Sequence, residues 1–194
     1  MRTIKLLCAM LTVMALTACA ETKKDKAHEQ QTDVVAEQVT TNDYCKEVNP
    51  KIGSGGHGHV FVGANAPFGM TQIGPTSITQ DWDWCSGYHD SENSVIGFSH
   101  THLSGTGCGD LFDVTLMPVI GEVTYSRGRL GDYSTGFWSE ADRTQEVVEP
   151  GYYSVPLTRY NIVAEMTATE RGGLHRYTFP ASDEAAIILD LLHG

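Results

Sequence analysis

The chain has 194 residues, 20 of them glycine, with 41% hydrophobic and 19% charged residues. Its 13 basic and 24 acidic residues give a formal net charge of -11, which repels phosphate and excludes nucleic acid or an anionic membrane surface as partners. That length suits one domain or part of a larger one. The glycine content argues against a helical bundle, because each interior helical glycine costs roughly 0.5–1 kcal/mol relative to alanine.

Residues 1–18 read as a lipoprotein signal peptide. Arg2 and Lys5 supply a positive start, and residues 6–18 form an apolar run too short to span a bilayer, which needs about 20 residues. The run ends in Leu16-Thr17-Ala18-Cys19, similar to a bacterial lipobox in which Cys19 is lipidated and becomes the first mature residue. Removing residues 1–18 leaves 11 basic against 24 acidic residues. Residues 19–44 carry charges and amides with almost no aromatic side chain, as expected of a lipid anchor followed by a flexible tether, with a short helix expected around 34–39 at most. The expected location is the bacterial cell envelope, lipid-anchored to the outer membrane on its periplasmic or surface face. The anchor is the only membrane contact implied. Beyond Cys8 and Cys19 there remain Cys45, Cys85 and Cys108, an odd number without C-x-x-C spacing, which reads best as small buried cysteines.

Residues 45–194 read as strands separated by glycine turns, an all-β antiparallel β-sandwich. Strands are expected at 70–73, at 95–103 (VIGFSHTHL, with Ile96, Phe98, His100 and His102 on one face), at 114–119 and at 122–125. A polar surface loop is expected over 127–149. A hairpin of 151–160 and 162–169 turns near Arg159-Tyr160-Asn161, and a third strand at 174–179 follows the turn Glu170-Arg171-Gly172-Gly173. Residues 185–192 form an apolar run of core-strand type, so a chain stopping at Gly194 reads as a domain cut short at its C-terminus.

Three motifs invite chemistry. Gly53-Ser54-Gly55-Gly56-His57-Gly58 fits G-x-G-x-x-G, but HVFVGANAPFG follows and cannot supply the helix that a dinucleotide needs. Its glycines instead suit a tight turn beside a ligand or a neighbouring domain. Two H-x-H pairs, His57/His59 and His100/His102, place imidazoles two residues apart, as metal ligation, a polar cleft or plain packing would each use them. Neither pair is followed by a third ligand at cupin spacing, and no metal ligand is assigned. Asp81-Trp82-Asp83-Trp84-Cys85-Ser86-Gly87-Tyr88-His89 concentrates indoles and carboxylates, which suits either stacking on sugar faces or a loop anchored in the core.

Several stretches together resemble the N-terminal domain of glycoside hydrolase family 92, the calcium-dependent exo-acting α-mannosidases. They are VNPKIGSGGHGHVFVGANAPFGM (48–70), WDWCSGYH (82–89), GFSHTHLSGTGCGDL (97–111), PGYYSV (150–155), TATERGGLHRYTFP (167–180) and IILDLLHG (187–194). The resemblance implies a β-supersandwich followed by an (α/α)6 barrel, with the active site between them. It implies removal of terminal α-linked mannose from glycans with inversion, assisted by calcium bound mainly by the C-terminal barrel. Inversion needs carboxylates roughly 6.5–9.5 Å apart. In the family these come from the barrel, so no catalytic residue is assigned in this chain, and Glu165, Glu170 and Asp190 receive no such role. Trp82, Asp83, Trp84, His100 and His102 are expected to bind substrate, with His57, His59 and His89 as cleft-lining candidates. The partners implied are mannose-containing glycans and the chain's own barrel domain. The sequence departs from the family where many members read F-P-G, at Phe61-Val62-Gly63, and at Pro75-Thr76-Ser77-Ile78, where many carry an acidic–Thr–Arg stretch. The alternatives are a non-catalytic carbohydrate-binding β-sandwich lipoprotein and, below it, a metal-dependent β-barrel enzyme using the histidine pairs.

Overall fold

The structure is a computed structural model that describes residues 43–78 and 81–192. The expected signal peptide, Cys19 and nearly all of the expected tether lie outside the described residues. Among the described residues eleven strands form three antiparallel sheets. The five-stranded sheet runs in the order β1 (Ala64–Asn65), β2 (Gln72–Thr76), β4 (Gly97–Ser99), β5 (Thr115–Ile120), β11 (Ala185–Asp190). The four-stranded sheet runs β10 (Gly173–Thr178), β9 (Ile162–Ala168), β8 (Tyr152–Leu157), β7 (Val147–Glu149). A two-stranded ribbon joins β3 (Ser94–Val95) to β6 (Ser139–Glu140). The only helices among the described residues are single 3-10 turns.

Period-two patterning explains the four-stranded sheet. Its register pairs Tyr153 with Met166, Val155 with Ala164 and Leu157 with Ile162, and all six are buried. The intervening pairs, Tyr152 with Thr167, Ser154 with Glu165 and Pro156 with Val163, face the other way. The β8–β9 turn closes on Asn161 at φ 51°, a conformation asparagine tolerates. The five-stranded sheet meets this layer through Phe98, whose ring centroid lies 6.4 Å from Tyr153 and 6.2 Å from Tyr177. Behind it a buried hydroxyl ladder runs from Thr76 to Ser99 at 2.6 Å and from Ser99 to Thr115 at 2.7 Å. Each hydroxyl thereby satisfies its neighbour without water.

Several expectations fail. Residues 122–125 form no strand: the chain turns at Gly121, and β11 pairs with β5 at the sheet edge. Residues 127–149 are not a surface loop, because they carry Phe137, Trp138, Ser139 and Ala141 into the core and supply β6 and β7. Arg159 holds that excursion down by donating to the carbonyls of Gly136 at 2.6 Å and Trp138 at 2.8 Å. The 185–192 run does form a strand, β11, at the open edge of the five-stranded sheet, with Ile188 buried and Ile187 and Leu189 exposed. The expected 95–103 strand is split at Ile96, just before Gly97 (φ 150°), where a Cβ would stand 2.4 Å from Thr115 Cγ2, and β4 ends at Ser99. Of the three cysteines, Cys85 is buried as expected, but Cys45 and Cys108 are exposed.

Candidate functional site

The glycine-rich segment folds back on itself. Val60 N–H donates to the Gly53 carbonyl at 3.2 Å, and a Cβ on Gly58 would lie 2.0 Å from that same oxygen. No helix follows, and the turn instead delivers His57 and His59 to the single-turn helix Trp82–Trp84. Asp83 Oδ1 lies 2.6 Å from His57 Nδ1 and 3.4 Å from His59 Nε2. The hydrogen bond from His57 lowers the Asp83 pKa, so the carboxylate stays charged through the neutral range. His59 holds φ 55°, an uncommon conformation outside glycine and a frequent mark of residues positioned for function.

Trp82 stands over this pair. Its ring meets His59 edge-on at 4.3 Å and His57 at 5.3 Å. Its Nε1–H donates to the Gly107 carbonyl at 2.9 Å, yet 59% of the residue remains exposed. The result is a fixed, solvent-facing indole flanked by a carboxylate and two imidazoles. Trp84 is half-buried, tilted against His89 at 4.6 Å. His89 is itself buried. Its Nδ1 accepts from Ser91 N–H at 3.2 Å, which leaves the proton on Nε2 to donate to the Gly56 carbonyl at 3.1 Å. His89 thus ties the aromatic turn to the glycine loop.

His100 and His102 part company once β4 ends. His102 is buried between Phe61 at 4.6 Å and Phe112 at 5.4 Å, and its Nδ1–H donates to the Gln72 carbonyl at 2.9 Å. Burial pulls its pKa down to about 4, so it is neutral at pH 7. His100 faces β10, with its Nε2 2.7 Å from His175 Nε2, while His175 Nδ1 lies 2.8 Å from the Tyr177 hydroxyl. Burial lowers the pKa of His100, and that of His175 to about 4. Of the eight residues selected from sequence, His57, His59, Trp82 and Asp83 form one cluster. Trp84 and His89 adjoin it, His102 lies in the apolar wall behind, and His100 belongs to a second polar contact with β10.

Sequence reasoning passed over the loop 103–112 as a source of site contacts. Ser104 Oγ accepts from Phe61 N–H at 3.1 Å, Gly105 N–H donates to the His59 carbonyl at 2.6 Å, and Gly107 anchors Trp82. The density of glycine in LSGTGCGD is the signal that a backbone passes close to something there. Two of the three carboxylates denied a catalytic role, Asp190 and Glu165, are engaged elsewhere. Asp190 accepts from Arg127 Nε at 2.6 Å, and Glu165 accepts from Tyr152 at 2.7 Å and from Arg176. A shallow depression on the outer face of the four-stranded sheet is lined by this Tyr152–Glu165–Arg176 group, whose charges already satisfy one another.

Among the described residues no three His, Cys, Asp or Glu side chains are placed to hold a metal ion. The His57/His59/Asp83 cluster offers one carboxylate and two imidazoles, which does not fit calcium's demand for six to eight oxygen ligands. Chemically the cluster can stack on a C–H-rich face through Trp82 and hydrogen-bond hydroxyls through Asp83 and the imidazoles.

Comparison with known proteins agrees with this picture. The glycosyl hydrolase family 92 N-terminal domain matches residues 47–194. A family GH92 α-mannosidase of Bacteroides thetaiotaomicron, solved with and without mannoimidazole, is 40% identical with a TM-score of 0.75 over 78% of this chain and 20% of its own. A second GH92-family glycosyl hydrolase is 28% identical with a TM-score of 0.64 over 77% of this chain and 20% of its own. A protein of Arthroderma benhamiae described as an uncharacterized secreted glycosidase is 28% identical over 145 residues, 71% of this chain and 18% of its own. The chain thus spans about a fifth of the length of these relatives. The all-β antiparallel architecture and the match over residues 47–194 place the chain in glycoside hydrolase family 92, of which it carries the N-terminal domain.

Proposed function

We propose that this chain is the N-terminal part of a secreted glycosidase that removes terminal α-linked mannose from glycans by an inverting, calcium-assisted mechanism. In this proposal the domain supplies one wall of the carbohydrate cleft. The observation that carries it is the 40% identity, across 78% of the chain, to an α-mannosidase solved with mannoimidazole. The exposed Trp82 face and its Asp83, His57 and His59 neighbours support a sugar-binding wall.

The roles divide by chemistry. Trp82 stacks on the sugar, while Asp83 and its imidazoles accept and donate to hydroxyls, fixing the ring against the wall. Trp84 and His89 stiffen that wall from behind, and His102 fills it. The general acid and base of an inverting hydrolysis, and the calcium ion, belong to residues outside this chain, because the cluster here lacks both a second free carboxylate and an oxygen-rich cation site. Calcium would supply charge to polarise sugar hydroxyls in that part of the enzyme. A lipid on Cys19 would hold the protein at the bacterial envelope.

Mannose release from a terminal α-mannobioside, by the protein expressed from its whole reading frame, tests the proposal. The first product should be the β-anomer by NMR, release should fall with a calcium chelator, and the 194-residue chain alone should release none. Retention of the α-anomer would overturn inversion. Release by the 194-residue chain would place the catalytic carboxylates here instead.

A further inference from the structure

Cys85 closes the Trp82–Trp84 turn, donating its N–H to the Trp82 carbonyl at 3.2 Å. Cys108 lies between two glycines of the loop that anchors Trp82. Both neighbours of Cys108 touch Cys85. A Cβ on Gly109 would stand 3.8 Å from the Cα and the Cβ of Cys85, and the Cys85 thiol meets the backbone of Gly107. Charge on the Cys108 sulfur is felt at Cys85. Both thiols are free, Cys85 buried and Cys108 exposed, whereas Cys45 on the turn Tyr44–Glu47 is exposed and not among the groups acting on Cys85.

We propose that Cys85 and Cys108 are a dithiol pair that an external disulfide oxidises to an intrachain Cys85–Cys108 cystine, locking the aromatic turn onto the glycine loop. Successive Cα atoms are about 3.8 Å apart, so Cys108 is one residue step from backbone already packed on Cys85. A cystine needs a Cα separation of roughly 4.4–6.8 Å. Glycine on both sides of Cys108, with Gly107 at φ 69°, gives the loop the freedom to meet it. Exposed Cys108 attacks first, since burial raises the Cys85 pKa. Its thiolate takes one sulfur of oxidised glutathione, forming a mixed disulfide and releasing one glutathione thiol that carries the Cys108 proton. The Cys85 sulfur then attacks the Cys108 sulfur, releasing the second glutathione thiol with the Cys85 proton. Two protein thiols are oxidised by two electrons and one glutathione disulfide is reduced.

The cystine would close a ring of about 24 residues next to the Trp82–Gly107 hydrogen bond, removing much of the loop's freedom in the unfolded chain. The bond itself is independent of the mannosidase proposal; only its effect on a sugar-facing Trp82 rests on that proposal. The test uses the full chain, reduced and then incubated with oxidised glutathione, followed by peptide mass mapping without reductant. The expected product is a joined pair of peptides carrying Cys85 and Cys108, lighter by two hydrogens than the separate peptides. The melting temperature should rise by several degrees and fall back on reduction. Cys108→Ser should remove both effects while leaving the fold intact, because its side chain is exposed. Recovery of Cys108 as a stable glutathione adduct with Cys85 still free, or a cystine through Cys45, overturns the pairing. Both readouts stand whether or not the protein cleaves mannosides.

Discussion

Two polar clusters both draw on the stretches 51–59 and 82–88 and serve opposite ends. The open one joins His57, His59 and Asp83 beneath the exposed Trp82 ring. The closed one gathers Lys51, Tyr88, Arg143 and Tyr153 around Glu146, whose side chain is 1% exposed. Glu146 accepts from Lys51 Nζ at 3.0 Å, from Tyr88 at 3.0 Å, from Tyr153 at 2.7 Å and from Arg143. Burial alone would raise the pKa of Glu146, but Arg143, Tyr153 and Lys51 outweigh it and lower it. Every acceptor site of that carboxylate is spent on the protein itself. Asp83 in the open cluster still meets solvent, and the ring above it has no partner on its outer face. A polar cluster that satisfies itself in the interior holds elements together; one that ends at a wet aromatic face is equipped to bind.

The largest expected effect breaks the closed cluster. Glu146→Ala leaves Arg143 facing a cavity without its counter-charge, while Lys51 keeps Asp90 at 3.2 Å, and breaking such a buried pair costs about 3–5 kcal/mol. In chemical denaturation the midpoint should drop accordingly with little change in slope. Asp83→Ala, made in parallel, should leave the midpoint close to that of the parent. Equal losses in the two variants would erase the distinction between the clusters.

Acid gives the next effect, through the histidine buried behind the open cluster. His102 has a pKa of about 4 in the folded state against about 6.5 unfolded, so the unfolded chain binds more protons between those values. Stability is therefore fully present above about pH 6.5 and is lost as pH falls towards 4, by up to roughly 3 kcal/mol from His102 alone. His175 acts in the same direction over the same window. Thermal melts between pH 7.5 and 4.5 should show this decline, and His102→Gln should flatten it. The amide can keep the donor to the Gln72 carbonyl without titrating. A slope unchanged in His102→Gln would assign the acid sensitivity elsewhere, Glu146 included, although its lowered pKa places its own loss below the usual carboxylate range.

How much of this was legible depends on how local the information is. The β8–β9–β10 layer could be read directly, because alternation and the Glu170-Arg171-Gly172-Gly173 turn are written in consecutive residues. The expected first strand at 70–73 shifted to Gln72–Thr76, a boundary set by pairing with β4. The fate of 127–149 was not legible: Trp138 is buried by a partner layer and by Arg159, 21 residues away, and no local pattern encodes that. Glu146 finds Lys51 across 95 residues, so the closed cluster left no motif at all. In the open site the residue types were visible in HGH and WDW, but their sorting was not. Alternation placed His100 beside His102, whereas the end of β4 at Ser99 sends one to His175 and the other into an apolar wall. From sequence Trp84 is the ring expected to present the sugar-facing surface, whereas in the structure Trp82, held by its hydrogen bond to Gly107, is the outward ring and Trp84 is half-buried.

That difference between Trp82 and Trp84 gives the finest test of the open cluster. Trp82 is exposed, and its removal deletes one hydrogen bond to Gly107 and little buried area, so Trp82→Ala should change stability by no more than about 1 kcal/mol. Trp84 fills space against His89, and Trp84→Ala should cost about 1–3 kcal/mol. Binding should rank them the other way if Trp82 is the sugar-facing surface. Loss of a stacking contact worth about 1–2 kcal/mol lowers kcat/KM roughly five- to thirtyfold for the enzyme expressed from its whole reading frame. Trp82→Phe, which keeps a flat face but loses the Nε1 donor, should fall between parent and alanine. The discriminating measurement is kcat/KM for α-mannobioside set beside the melting temperature of each variant. A Trp82→Ala enzyme of normal activity, with a Trp84→Ala enzyme that melts normally and hydrolyses slowly, would exchange the roles of the two rings.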